Sequence, residues 1–186
     1  MKVTQTDIPG VLLIEPKIHG DERGFFVETW QRERYTEIGI PRDFVQDNMA
    51  SSKKGVLRGL HLQHPNAQGK LVQVLDGEVF DVAVDVRRGS PWFGKWVGVH
   101  LDGKQRRQFW VPPGFAHGYV VLSEMAVFSY KCSDFYHPEN ELSVLWNDPA
   151  IGIDWPTELQ PTLSDKDRDG LLLNDISPEK LPEYEA

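Results

Sequence analysis

The stretch LVQVLDGEVFDVAVDV, Leu71 to Val86, sets Asp76-Gly77 between two runs in which apolar residues recur at every second position. Asp-Gly tolerates the positive φ of a tight turn, and β-branched side chains suit a pleated, half-buried surface. The local reading is a hairpin. In its second arm Phe80, Val82, Val84 and Val86 alternate with Asp81, Ala83 and Asp85, which predicts one buried face and one polar face. The same device recurs in WVGVHLDGKQRRQFWV, Trp96 to Val111, around Asp102-Gly103.

Just upstream lies GVLRGLHLQHPNAQGKLVQVL, Gly55 to Leu75, with Arg58, His61, His64 and Lys70 in one short span. Cationic groups and imidazoles cost free energy beside an apolar core, so they suggest the lined wall of a pocket for an anionic or proton-labile ligand. A solvated edge strand fits the same residues. Further upstream, Val11 to Ile14 reads as a strand, and HGDERGFFVETW, His19 to Trp30, as strand, turn and strand. Within it Arg23 and Glu28 flank Phe25 and Phe26, a set that can hold a planar base or form a surface ion pair. QRERYTEI, Gln31 to Ile38, predicts a short helix stopped by Gly39 and Pro41. FVQDN, Phe44 to Asn48, then offers Gln46 and Asn48 as polar cavity or turn residues.

Downstream, Pro112, Pro113 and Gly114 bend the chain before His117 enters another strand, and Ala126 to Ser133 supplies one more. After Trp146 the composition turns to loops and charge. Ile151, Ile153, Trp155 and the run Leu171 to Leu173 would pack that segment down. Many short strands and little helix predict a mostly β, antiparallel sandwich or barrel. Residues 1–186 are read as a single domain, with a core of roughly 10–147 and a covering lid of 148–186.

The formal charge of −8 argues against a general nucleic-acid or membrane-surface binder, so any phosphate must be met by a local positive cluster. Cys132 is the one cysteine, which rules out an internal disulfide and fits a reducing cytoplasm. No apolar run approaches the roughly 20 residues of a membrane span.

Two chemistries compete. His61, His64, Glu78 and His117 are metal-ligand types, and PPGFAH matches the second motif of metal-binding cupins. The first such motif needs two histidines one residue apart, and Gln63 occupies that second place, so a metal is disfavoured. The alternative is metal-free proton transfer beside a ketone. It needs a base, a partner that orients the base, a cation for the enolate, and an acid on the opposite face. His61, an Asp, Lys70 or Arg58, and a tyrosine such as Tyr130 can fill those places.

The segments DERGFFVETW, FVQDN, GVLRGLHLQ, QGKLVQVLDGEVFDVAVDVR, VPPGFAHGY, YKCSDFYHPENE and LSDKD, in this order, resemble the dTDP-4-dehydrorhamnose 3,5-epimerase family up to Asn174. The resemblance implies a cupin-like jelly roll, a homodimer, and action without metal or organic cofactor on a dTDP-4-keto-6-deoxy sugar. That reaction belongs to dTDP-L-rhamnose biosynthesis. Residue by residue it implies His61 as base, Asp167 as its dyad partner, Tyr130 as acid and Lys70 as enolate stabiliser. Arg23, Phe26, Glu28, Gln46, Asp47, Asn48, Arg58, His117, Glu141 and Lys166 match substrate-lining positions, and Tyr136 an aromatic that stacks on thymine. Simpler roles stand beside these: Ser164 and Asp167 have capping-box spacing, and Tyr130 suits a core aromatic. The chain departs from the family pattern at Leu62, Met49 and Ala50, which bears on sugar specificity. A single-centre epimerase, a metal-dependent cupin and a sugar-binding cupin are the competing readings.

Overall fold

The two Asp-Gly turns do not make hairpins. In the computed structural model, which describes residues 1–41, 43–156 and 160–185, each turn carries the chain from one sheet to another. The strands are β1 (Lys2–Gln5), β2 (Leu12–Glu15), β3 (Ile18–Asp21), β4 (Gly24–Val27), β5 (Gln46–Lys53), β6 (Leu57–Gln63) and β7 (Lys70–Asp76). There follow β8 (Glu78–Asp85), β9 (Trp96–Asp102), β10 (Gln108–Val111), β11 (Phe115–Val121), β12 (Met125–Cys132) and β13 (Glu141–Ser143). One sheet runs β1-β2-β10-β7-β12-β5 and the other β13-β6-β11-β8-β9, both antiparallel, while β3 and β4 form a separate two-stranded hairpin. Strands β7 and β8, joined by Asp76-Gly77, therefore lie in different sheets, as do β9 and β10.

Both turns are closely packed: a side chain on Gly77 would collide with the Met125 carbonyl, and one on Gly103 would meet the Leu75 carbonyl at 2.8 Å. Asp102 Oδ1 accepts from the Lys104 and Gln105 amides, closing a longer turn than the two-residue hairpin form. Local turn chemistry thus marked the corners correctly and the strand pairing wrongly. The result is a jelly roll, six strands facing five.

The expected polar face of β8 is also buried. Asp81, Ala83 and Asp85 are fully buried and look into the sandwich. Val79 and Ala83 join Val72, Val74, Phe109, Phe115 and Phe128 in the core between the sheets. The apolar face, Phe80, Val82, Val84 and Val86, points away from that core and is covered by Ile151, Trp155, Leu173, Ile176 and Leu181. Buried carboxylates need partners, and Asp85 has Arg87 and Ser90 while Asp81 has His117. Of the Leu171 to Leu173 run only Leu173 is buried, because Leu171 and Leu172 turn outward as the chain enters a short 3₁₀ turn.

The helix forms as expected, over Arg32–Thr36 (α1), with Gln31 capping it by accepting from the Arg34 amide at 2.7 Å. Helix α2 (Asp165–Arg168) is one turn, capped by Ser164. No helix among the described residues is long and apolar enough to cross a membrane.

Candidate active site

Strand alternation aims side chains from both sheets into one cavity of about 300 Å³. His61 enters from β6 in the five-stranded sheet. Tyr130, on β12, and Lys70, at the start of β7, enter from the six-stranded sheet opposite. A base and a phenol therefore face the cavity from opposing walls.

Two glycines let His61 reach its partner. Gly59 of β6 and Gly118 of β11 lie against each other, and a Cβ on Gly59 would meet Gly118 Cα at 2.5 Å. Gly59 also holds φ +118°, which disfavours any side chain. The close approach frees the Gly59 amide to donate to Asp167 Oδ1 at 3.2 Å. The same oxygen lies 2.6 Å from His61 Nε2. Ser164 Oγ donates to Asp167 Oδ2 at 2.7 Å, and the Asp167 amide returns a bond to Ser164 Oγ at 3.2 Å. Capping box and dyad are thus one arrangement, and Asp167 is buried behind the imidazole.

The surroundings set the protonation states. Burial is the largest influence on His61 and lowers its pKa below the ordinary 6.5, against the pull of Asp167, so the ring is a free base at neutral pH. Burial would raise Asp167, but its bonds from His61 and Ser164 hold the carboxyl below the usual range. Lys70 is lowered by desolvation, with Cys132, Glu141 and Asp81 opposing that shift. Burial raises Tyr130, which keeps its phenol protonated and able to donate at neutral pH.

Arg58, Lys70 and Lys166 bring three cations to the cavity of an acidic chain. Arg58 touches Ser52 Oγ and has no carboxylate partner among the described residues, so its guanidinium is available to a phosphate. Lys166 pairs with Glu141 at 2.8 Å, and Glu141 accepts from Tyr136 Oη at 2.8 Å, which fixes the aromatic ring at the mouth. Gln46, Asn48 and His117 also line the cavity.

Four of the expected substrate residues lie elsewhere. Asp47 falls on the outward side of β5, between Gln46 and Asn48, and its carboxylate binds Lys131 at 2.8 Å. Arg23 and Phe26 sit on the β3–β4 hairpin away from the cavity, with Arg23 paired to Asp21 and Phe26 69% exposed. Glu28, just beyond, pairs with Arg34 at 2.6 Å. Conversely, Tyr119 and Phe128 line the cavity and Asp81 holds the lining residue His117 from behind, none of them singled out from the sequence; alternation in β8 disguised Asp81 as a surface residue. His61 and His117 each commit Nε2 to a carboxylate, and among the described residues no three His, Cys, Asp or Glu side chains converge as a metal set.

Comparison with known proteins bears directly on this arrangement. The family model described as dTDP-4-dehydrorhamnose 3,5-epimerase matches residues 5–175. The enzyme of that name from Pseudomonas aeruginosa is 57% identical over 171 residues, covering 91% of this chain and 94% of the relative. The crystal structure of a dTDP-6-deoxy-D-glucose-3,5-epimerase from Legionella pneumophila, in complex with dTDP-4-keto-L-rhamnose, superposes with a TM-score of 0.98 at 59% identity. The alignment covers 100% of this chain and 99% of that one. A 3'-monoepimerase from Streptomyces bikiniensis, in complex with dTDP-quinovose, is 36% identical with a TM-score of 0.86, over 91% of this chain and 87% of that one. On the family match and the relatives' identity and coverage, the chain belongs to the dTDP-4-dehydrorhamnose 3,5-epimerase family.

Proposed function

We propose that the chain converts dTDP-4-dehydro-6-deoxy-D-glucose to dTDP-4-dehydro-L-rhamnose by inverting carbons 3 and 5. The observation that carries this reading is the opposition of His61 and Tyr130 across one cavity. Inversion requires a proton to leave one face of a carbon and another to arrive on the other face, which a single group cannot do. His61 takes the proton from the carbon beside the keto group, with Asp167 stabilising the imidazolium. The Lys70 ammonium meets the negative charge that develops on the keto oxygen. Tyr130 then donates from the far wall. Repetition at the second α carbon completes the double inversion, and Arg58 and Lys166 hold the diphosphate while Tyr136 stacks on the thymine.

The experiment is incubation of the enzyme with the 4-keto sugar nucleotide in heavy water, read by NMR. Deuterium at both carbons 3 and 5 is the expected result. Label at one carbon alone would assign a single-centre activity of the kind named for the Streptomyces bikiniensis 3'-monoepimerase. Label at neither would overturn the enzyme reading.

The active assembly is a homodimer, in which the β3–β4 hairpin of one copy reaches the cavity of the other. This reading rests on Phe25, 56% exposed, and Phe26, 69% exposed, standing beside Arg23 on a hairpin outside both main sheets. Adjacent exposed aromatics on an element outside both main sheets mark an association surface. Sedimentation at twice the 21.2 kDa chain mass is expected, and a 21.2 kDa active species would contradict it. A cytoplasmic enzyme fits the single buried thiol of Cys132.

A further inference from the structure

Beside the His61–Asp167 pair lies a second imidazole and carboxylate. His117 stands directly opposite His61 in the pairing of β11 with β6, one strand spacing away and on the same face. Its Nε2 lies 2.8 Å from Oδ1 of Asp81, on the neighbouring strand β8. Phe128 stacks on the ring at 6.2 Å and 26°. One edge of the imidazole is held, one face is covered, and the ring lines the cavity. Nδ1 is the nitrogen left without a hydrogen-bond partner among the described residues.

Asp81 is fully buried, and its Oδ2 has no hydrogen-bond partner among the described residues. An ionised carboxylate with one bond in a dry site is costly, so burial favours a pair that is neutral as a whole. Desolvation accordingly pushes the Asp81 carboxyl up, against the influence of His117 and Lys70. A neutral pair has two forms: carboxylate with imidazolium, or carboxylic acid with imidazole. In both forms Nδ1 carries a hydrogen, because Nε2 faces the carboxyl group.

We propose that Asp81 is a positioning residue for proton abstraction: by holding His117 in a charge-neutral pair, it makes His117 present an Nδ1–H donor to the enolate oxygen, beside the Lys70 ammonium. The inference rests on the epimerase reading and adds a second donor to it. The location argues for the sugar end of the ligand, since His117 adjoins the base while Arg58 and Tyr136 serve the nucleotide and its phosphates.

Asp81→Leu tests the role. The leucine keeps the approximate volume and offers Nε2 neither donor nor acceptor, so nothing holds the ring of His117 in place or in its Nδ1–H form. Loss of one oxyanion donor is expected to lower kcat by about 10²-fold, with KM and dTDP affinity changed by less than about 3-fold. Combined with His117→Gln, the substitution should add no further loss. A kcat within about 3-fold of wild type, or a parallel fall in kcat and dTDP affinity, would overturn the proposal. ¹⁵N NMR of the histidine-labelled wild type with dTDP bound gives an independent reading that needs no variant to fold. A protonated Nδ1 at His117 is expected, and a bare Nδ1 would overturn the proposal. If the wild type washes no deuterium into the sugar, the epimerase reading fails and with it the role of Asp81. The nitrogen spectrum still reports the pair, so the two failures are told apart.

Discussion

His61→Asn should abolish deuterium exchange at both carbons and lower kcat by about 10²–10⁴-fold, the range attributed to a positioned general base, or about 3–5 kcal/mol of transition-state stabilisation. The Gly59 amide and the Ser164 hydroxyl still bond Asp167, so the capping turn at Ser164 to Arg168 is expected to survive. Asparagine cannot take a proton from carbon. Binding of dTDP should be preserved, because Arg58, Tyr136 and Lys166 are untouched. Isothermal titration with dTDP beside an NMR exchange assay checks both halves of the expectation. Exchange retained at more than about a tenth of the wild-type rate would refute the base assignment.

The same group sets the acid side of the wild-type pH profile. A base must be unprotonated to act, and burial holds His61 below its ordinary 6.5, so kcat/KM should rise with pH along a limb below 6.5 and be level at neutral pH. On the alkaline side activity should fall as Lys70, lowered from its ordinary 10.5 by desolvation, loses its proton.

The parts of this molecule that were legible in its sequence are those written in local chemistry. Strand positions followed from two-residue alternation, the helix from its caps, and the corners from Asp-Gly. Pairing was not legible. An Asp-Gly turn looks the same whether it closes a hairpin or carries the chain between sheets, and here β7 pairs with β10 and β12 while β8 pairs with β9 and β11. Burial of β8 misled for a related reason. Alternation identifies two faces without saying which lies inside, and the late residues Ile151, Trp155, Leu173, Ile176 and Leu181 cover the face that looked like the core side.

The site divides in the same way. His61 and Lys70 announce themselves as charged or titratable groups beside apolar runs, whereas Asp167, 106 residues from His61, is joined to it only by the fold. That partner is implied by the family resemblance alone, whereas Tyr130 is also a candidate on the chemistry of inversion; the geometry brings Asp167 to His61 and sets Tyr130 across the cavity. Asp81 escaped notice because an aspartate between Phe80 and Val82 in an alternating strand reads as surface until its histidine is found. Arg23, Phe26 and Glu28, expected from the resemblance to line the substrate site, lie outside the cavity of their own chain, on the β3–β4 hairpin or just beyond it.

The central claim is that removal and return of the proton occur on opposite walls, and Tyr130→Phe in heavy water tests it most directly. Phenylalanine keeps the ring that packs against Phe128 and removes only the phenol proton. With the far-wall donor gone, inversion should fall by about 10²–10⁴-fold. His61 remains oriented by Asp167 and can still remove a proton, and it then returns deuterium to the face it came from. Recovered starting sugar nucleotide labelled at carbon 3 or 5 with its configuration retained is the expected result. Inversion at the wild-type rate, or exchange lost in step with inversion, would contradict the separation of base and acid across the cavity.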